Sequence, residues 1–360
     1  MSLLWPVGLS LTDVVDVADS EELFEIVDNE RVLALSHMGP GIGFRNAEAI
    51  VKSTGVRVRR MLRVGMTAFD MAFAVARRLQ FEVGFDWNDC PAIGLCHTHP
   101  DERHAADLAD ELCDALEIRR PELIVISHGC TGYLKLLREA AGVLERGGSP
   151  GPIPLLTIET PQEWHDAADR AFCGIISAGA TGSVLGRGPG HRLKQVAAQA
   201  ILVPESARDG RPLFWIETGE YPEFNGGYTT RNVMRMNGEA VFVNGVELML
   251  DAVRRAMSEL DTTGRRVLIA PHQPSGKMLR ALIAVVKQEF PAVVCLNNLE
   301  RYANSISSTI PTVLAHLDEV LAEQHQPPAR SGDLIVLPAA GICMAAKPSQ
   351  LAQGWAVLEW

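Results

Sequence analysis

The sequence lacks the excess of positive charge with which proteins that bind nucleic acids hold phosphates. Its 360 residues carry 44 acidic and 33 basic side chains, which gives a formal net charge of −11. A general nucleic-acid footprint needs a basic face, so this class of function is disfavoured. One basic cluster is formed by Arg57, Arg59, Arg60 and Arg63. It fits a solvated surface better than a docking face for an acidic carrier protein, although both interpretations stay open.

The chain also lacks a disulfide framework and a membrane span. Its seven cysteines are odd in number and scattered: Cys90, Cys96, Cys113, Cys130, Cys173, Cys295 and Cys343. Disulfide-stabilised domains are small and have dense, even cysteine patterns, so a reducing cytoplasm fits better. No apolar run reaches the roughly 18 residues of a membrane span, and the first residues lack the basic-then-apolar layout of a secretory signal. We therefore expect a soluble, cytoplasmic protein.

What the chain has instead is an alternation of apolar strands and amphipathic helices. Thr67 is placed to cap a helix that runs to about Gln80, with Asp70 at the third helical position. The first half further predicts helices over 105–116 and 133–144 and a buried strand over 123–126.

The second half repeats this alternation. It predicts helices over 246–260, 277–290 and 312–323, and strands over 266–270, 293–296, 334–337 and 355–358. Residues 204–240, rich in Gly, Pro, Asn and Arg, are expected to form an irregular excursion near the junction of the halves. The alternation predicts an α/β fold with mixed or parallel sheets covered by helices.

Cys130 is the first candidate for chemistry. It follows a buried strand and precedes a strong helix, in Ser127-His128-Gly129-Cys130-Thr131-Gly132-Tyr133. At a helix N-terminus the unpaired N–H groups and the macrodipole favour a thiolate. Taken alone, however, a free cysteine beside a strand is more often a small core residue.

Two polar residues in the second half are candidates for the same site. His272 comes directly after a predicted strand, and sites in α/β sheets gather at the carboxyl ends of strands. Asn304 lies in a loop of small residues. In isolation, His272 fits a structural histidine equally well, and Asn304 fits a loop or capping residue better.

Together these segments resemble the motifs of β-ketoacyl-ACP synthase III-like condensing enzymes. Gly129-Cys130-Thr131-Gly132-Tyr133 resembles the nucleophile motif of that family, and Pro271-His272-Gln273-Pro274-Ser275 resembles its Pro-His-Gln-Ala-Asn segment. Similar matches are the Asn304 segment that runs on to Ile310-Pro311, Thr54-Gly55-Val56-Arg57, Gly341, and Gly354-Trp355-Ala356-Val357. Each motif is weak, but the ordered set covers residues 50–360 and is specific.

The resemblance implies a thiolase-like fold of two similar halves in a five-layered αβαβα arrangement, residues 1–190 with Cys130 and residues 191–360 with His272 and Asn304. It implies a homodimer that takes acyl groups from acyl-CoA or an acyl carrier protein and needs no cofactor. Cys130 would carry the acyl group, with the backbone amides of Cys130 and Ile342 as the oxyanion hole. His272 and Asn304 would stabilise the enolate formed by decarboxylation of a malonyl-type thioester.

Several positions depart from the family pattern. The arginine and tryptophan that usually contact CoA fall on Ser53 and Ala49, which favours a carrier protein as the acyl donor. The family's asparagine after His-Gln is Ser275, which together with Lys277 is predicted to contact substrate. An aromatic pocket residue falls on Ala105, which predicts room for a larger acyl chain. The usual Gly-Asp-Gly stretch appears as Gly179-Ala180-Thr181-Gly182-Ser183. These departures predict a specialised member of secondary metabolism.

Other patterns are weaker, and other functions stay open. Cys96-His97-Thr98-His99 with His104 looks like a metal cluster, but no second cluster accompanies it, so we expect no metal. Cys343 is expected to be a packing residue. The alternatives to condensation are an acyltransferase that uses an alcohol or amine acceptor, and a thioester hydrolase. A noncatalytic partner subunit would be expected to have lost its Cys or His.

Overall fold

The computed structural model describes residues 3–39, 41–119, 121–147, 151–201, 212–343 and 350–360. The strands are β1 (Ser10–Leu11), β2 (Val15–Asp16), β3 (Phe24–Asp28), β4 (Val58–Leu62), β5 (Ala92–His97), β6 (Glu122–Ile126), β7 (Ile153–Glu159), β8 (Gly179–Gly186), β9 (His191–Ile201), β10 (Phe214–Pro222), β11 (Tyr228–Met236), β12 (Val267–Ile269), β13 (Val294–Cys295), β14 (Leu334–Cys343) and β15 (Gln350–Glu359).

The helices alternate with these strands along the chain. They are α1 (Asn29–Ser36), α2 (Ala47–Thr54), α3 (Ala68–Val83), α4 (Arg103–Ala115), α5 (Gly132–Glu145), α6 (Gly238–Ser258), α7 (Gly276–Glu289), α8 (Leu299–Tyr302), α9 (Thr309–Ala315) and α10 (Leu317–Glu323). The predicted helix start at Thr67 is confirmed, because Thr67 and Asp70 form a capping box on α3. The structure also shows that the Ser275 side chain caps α7.

The main sheet contains the same strand order twice. One half runs β6-β5-β7-β8-β1 and the other β13-β12-β14-β15-β9. In each half the first three strands are parallel and the last two are antiparallel, and β1 joins β9 in the middle. The predicted similarity of the halves is therefore visible in the topology. The boundary between residues 190 and 191 stays a prediction, because the sheet is continuous through β1 and β9.

Five layers follow from the packing of this sheet. Helices α3 and α4 cover the first half-sheet, and α6 and α7 cover the second. Between the half-sheets lie α5, α9 and α10, whose apolar residues join strands of both halves in one core. The central helices are buried on several sides, as Leu134, Leu136 and Leu137 of α5 show. The predicted αβαβα thiolase-like fold is confirmed.

Three predictions need correction: two concern secondary structure, and the third concerns part of the basic cluster. The excursion predicted over 204–240 is largely regular: β10 and β11 pair as an antiparallel hairpin and α6 begins at Gly238, while residues 204–211 lie outside the described residues. The helix predicted over 312–323 is interrupted at His316, which separates α9 from α10.

The basic cluster is divided between surface and interior: the side chains of Arg57 and Arg63 are exposed, as predicted, whereas those of Arg59 and Arg60 are buried. Arg59 is fully buried and donates to the carbonyl of Gly174 over 2.7 Å. Arg60 is also buried and donates to the carbonyls of Ala18 (2.6 Å) and Arg301 (2.7 Å). These guanidinium groups satisfy backbone carbonyls that the fold leaves without a ladder partner. Among the described residues, no helix is long and apolar enough to cross a membrane.

Candidate active site

Cys130 lies in a tight turn between β6 and α5, pressed against the backbone of β14. Gly129 has a φ of +61°, and a Cβ there would lie 2.0 Å from the carbonyl oxygen of Ile342. A Cβ on Gly341 would lie 2.5 Å from the Cys130 sulfur. The two glycines are therefore needed for this close approach, which the sequence pattern around Cys130 indicated only in part.

Two backbone amides point at the Cys130 sulfur. They are the N–H groups of Cys130 itself and of Ile342, the pair predicted for the oxyanion hole, and both stabilise the thiolate. Burial and the repulsion from Glu159 together outweigh these two amides, and they raise the pKa of the Cys130 thiol to about 12. The thiol is therefore protonated at neutral pH, and a nucleophilic thiolate requires a base.

His272 lies just after β12, where it is fully buried and forms part of the wall of a cavity. Its Nδ1 is 2.6 Å from the Thr309 hydroxyl, and its backbone N–H donates to the carbonyl of Pro338 over 2.9 Å. The Nε2 atom has no hydrogen-bond partner among the described residues. Burial lowers the pKa of His272 to about 3, so the resting imidazole is neutral.

Asn304 is held by its own backbone and by both ends of its side-chain amide. Its Nδ2 donates to the carbonyl of Pro274 (3.1 Å), and its Oδ1 accepts from the N–H of Ile306 (2.9 Å). Ala303 and Ile306 on either side have φ values of +55° and +51°. Strained backbone of this kind persists where surrounding contacts fix it, and it is common at active sites. One N–H of the Nδ2 group remains available to a ligand.

A single cavity of about 290 Å³ brings the three side chains together. Cys130, His272 and Asn304 line it, and so do Ile342 and the predicted substrate contacts Ser275 and Lys277. Ala105, which is buried on α4, is not among the residues that line it. The predicted role of position 105 in the acyl pocket stays a prediction.

Apolar side chains form most of the remaining wall. They are Phe44, Trp164, Phe172, Ile175, Ile176, Met234, Met236, Val241, Phe242, Met278 and Ile306. Such a lining fits the hydrocarbon part of a ligand.

The chain is similar in sequence to curated condensing enzymes. It is 27% identical to β-ketoacyl-(acyl-carrier-protein) synthase III of Rhizorhabdus wittichii over 299 residues, which cover 82% of this chain and 86% of that protein. The enzyme of the same name from Brucella canis is 24% identical over 306 residues, covering 84% and 89%. The predicted resemblance is confirmed. No protein-family model matches the sequence.

Solved structures confirm the fold over nearly the whole chain. A 3-oxoacyl-(acyl-carrier-protein) synthase from Burkholderia xenovorans superposes with a TM-score of 0.74 at 19% identity, over 99% of this chain and 95% of that one. The priming β-ketosynthase of the R1128 polyketide pathway gives 0.71 at 20% identity, over 100% and 98%.

A buried carboxyl group beside the site was missed by the sequence reasoning. Glu159, at the end of β7, accepts hydrogen bonds from the hydroxyls of Thr98 (2.8 Å) and Ser307 and from both of their backbone N–H groups. Burial raises its pKa to about 8 despite these donors. These hydrogen bonds join the turn after Asn304 to the carboxyl end of β7. A single acidic residue ending an apolar strand was the only signal in the sequence.

The histidines near Cys96 lie close together, with two of their rings stacked. His99 and His104 stack face to face with ring centroids 3.7 Å apart, and the His97 ring lies 6.2 Å from that of His99. No group of three or more potential ligands occurs in the described part of the chain. Cys343, predicted to be a packing residue, is buried with its sulfur 3.2 Å from Nδ1 of His128.

Proposed function

We propose that the protein forms an acyl thioester on Cys130 and condenses that acyl group with a malonyl-type thioester to give a β-keto thioester. The observation that carries this proposal is the convergence of Cys130, His272 and Asn304, far apart in sequence, on one cavity. A thiol, an imidazole and a side-chain amide around one apolar chamber are the groups that this chemistry needs.

Acylation is the first half of the reaction. The Cys130 sulfur attacks the carbonyl carbon of the donor thioester, the new C–S bond forms, and the donor's own sulfur leaves as a thiolate. In this proposal the amides of Cys130 and Ile342, which converge on this sulfur, stabilise the oxyanion of the tetrahedral intermediate. Because Gly341 has no side chain, the sulfur can approach this backbone closely.

Condensation is the second half. The malonyl-type thioester loses carbon dioxide, and the negative charge moves onto its thioester oxygen as an enolate. The free N–H of Asn304 and the ring of His272 are the groups that can stabilise this oxygen. The enolate carbon then attacks the acyl carbon on Cys130, and the cysteine sulfur is released. Loss of one well-placed donor costs about 10²- to 10³-fold in rate in comparable sites.

The thioester carriers also belong to the proposal. We assign the donor to acyl-CoA or an acyl carrier protein, with the carrier protein favoured, and no cofactor beyond these carriers. Lys277 and Arg170 line the cavity and give it a cationic element in a protein of net charge −11. Phosphate groups are present on both carriers, so this charge suits either. A cytoplasmic homodimer also belongs to the proposal, and sedimentation analysis would test the dimer.

Intact-protein mass spectrometry with a panel of acyl thioesters tests the proposed function. We expect a mass increase equal to one acyl group that is lost in Cys130→Ala but kept in Cys113→Ala, a control at a partly exposed cysteine on α4. Addition of malonyl thioester should then release carbon dioxide and free the enzyme. Acylation without carbon dioxide would favour the acyltransferase, and loss of the acyl group to water alone would favour the hydrolase.

A further inference from the structure

Among the residues that the structure describes, the His272 side chain makes one hydrogen bond, and this bond determines the position of its proton. Nδ1 lies 2.6 Å from the Thr309 hydroxyl, which in turn donates to the carbonyl of Ile306 over 3.1 Å. The hydroxyl has one hydrogen. Since it donates that hydrogen to Ile306, it can only accept from His272. Both bonds form together only when Nδ1 carries the imidazole proton.

The opposite ring nitrogen is then an acceptor. A neutral imidazole with its proton on Nδ1 has a lone pair on Nε2. Nε2 is buried and has no hydrogen-bond partner among the described residues, and His272 lines the same cavity as Cys130. The resting histidine is therefore arranged as a base and not as a donor.

We propose that Thr309 is a positioning residue that holds His272 in the Nδ1–H tautomer, so that Nε2 takes the proton of the Cys130 thiol. This proposal rests on the proposed function and adds a constraint to it. His272 can donate to the enolate oxygen only as an imidazolium, after it has received the Cys130 proton. Thiol activation and enolate stabilisation thus use one proton.

The proton balance closes over the cycle. In acylation the S–H bond of Cys130 breaks and an N–H bond forms at Nε2, while the departing carrier thiolate takes a proton from solvent. The imidazolium donates a hydrogen bond to the enolate during decarboxylation. When the new C–C bond forms, Cys130 leaves as a thiolate and takes its proton back from Nε2. One solvent proton is consumed for each carbon dioxide released.

The charge of the site supports this arrangement. The thiol of Cys130 is protonated at rest, and the ionisable side chains that share the cavity wall with it are His165, His272, Arg170 and Lys277. Burial lowers the pKa of His272, and no charged side chain contributes to this shift. An imidazolium–thiolate pair has no net charge, so it can form in an enclosed apolar chamber more easily than a lone thiolate.

The tautomer can be observed directly by nitrogen NMR of protein with ¹⁵N-labelled histidine, with His272→Asn used for assignment. We expect a protonated Nδ1 and an unprotonated Nε2 in the wild type. In Thr309→Val the hydroxyl acceptor is gone, and the proton should move towards Nε2. A wild-type spectrum with the proton on Nε2 overturns the proposal, and it does so whether or not the variant folds.

The rate of Cys130 alkylation by iodoacetamide, followed against pH, measures the consequence. Loss of a hydrogen bond to a charged group should slow alkylation at neutral pH by about 10- to 100-fold in Thr309→Val, which shifts the profile up by about one to two pH units. Thr309→Ser keeps the hydroxyl and should restore the rate. Thr312→Val, a buried threonine on the same helix, is the matched control.

Two results of this second experiment contradict the proposal. One is an unchanged alkylation profile in Thr309→Val, and the other is a Thr309→Ser protein that folds but alkylates as slowly as the valine variant. Neither measurement uses a thioester. A protein that behaves as expected in both and still releases no carbon dioxide would refute the condensing function, while the assignment of Thr309 would stand.

Discussion

The ionisation of Glu159 predicts a loss of stability between pH 6.5 and 8 that a single substitution should remove. In the unfolded chain a glutamate ionises near pH 4.5, whereas in the fold burial raises the pKa of Glu159 to about 8. Between these values the unfolded state has released a proton that the folded state keeps. Stability therefore falls as pH rises through this range, and the fall ends above the folded pKa.

The size of the effect follows from the two pKa values. From pH 6.5 to 8.0, ionisation of the unfolded state, offset in part by ionisation of the folded state near its own pKa, should lower the free energy of unfolding by about 1 to 2 kcal/mol. Buried histidines with lowered pKa values, such as His97 and His165, add stability as pH rises through the unfolded histidine pKa of 6.5, and the comparison with a Glu159 variant cancels this contribution. Glu159→Gln keeps the shape of the side chain and cannot ionise.

Urea denaturation at both pH values gives the free energy of unfolding of each protein. The change with pH in the wild type is then compared with the change in Glu159→Gln. The wild type should lose about 1 to 2 kcal/mol more than Glu159→Gln between pH 6.5 and 8.0. Infrared spectroscopy adds a direct check, since the protonated carboxyl band should be present at pH 6.5, disappear by pH 9 and be absent from the variant. Equal pH dependence in the two proteins, with no such band in the wild type, would show that Glu159 is ionised at neutral pH and that the argument from burial is wrong.

Three further substitutions test the site. Asn304→Asp replaces the free N–H by an acceptor and should lower carbon dioxide release by about 10²- to 10³-fold, while acylation measured by mass is kept; equal losses in both steps would contradict the assigned role. Gly341→Ala places a Cβ 2.5 Å from the Cys130 sulfur and should abolish acylation, whereas Gly188→Ala, where a Cβ meets nothing within 4 Å, should leave it unchanged. Trp164→Leu shortens a side chain of the apolar wall and so enlarges the cavity. It should move the acyl preference, profiled by competition between donors, towards longer or bulkier chains. An unchanged preference would place the acyl group elsewhere.

Much of the fold could be predicted because its signals are local. The capping box at Thr67 depends on residues three positions apart, and the apolar run before Cys130 shows a strand without any tertiary information. The hairpin of β10 and β11 was missed because its composition is rich in turn formers, and its pairing depends on the register between the two strands, which runs from Pro222–Tyr228 to Phe214–Met236. Local composition carries little information about that register.

The sequence predicted which side chains of the candidate site carry its chemistry, but not the hydrogen bonds that hold them in position. The ordered motifs around Cys130, His272 and Asn304 indicated which side chains meet. The hydrogen bonds of Glu159 and Thr309 could not be read from the sequence, because they join residues more than 30 positions apart and involve common residue types. The burial of Arg59 was missed for the same reason, since a cluster of arginines normally indicates a surface.

These missed contacts restrict how much charge the site can hold. Burial raises the pKa values of both Cys130 and Glu159, and each negative charge opposes the other. When Glu159 is neutral, the Cys130 thiolate does not meet a second negative charge at that position, and the proton taken up by His272 compensates the charge of the thiolate. When Glu159 ionises above about pH 8, its charge should oppose the thiolate. The rate of Cys130 alkylation should then rise less steeply with pH in the wild type than in Glu159→Gln, and identical slopes would show that the two groups ionise independently.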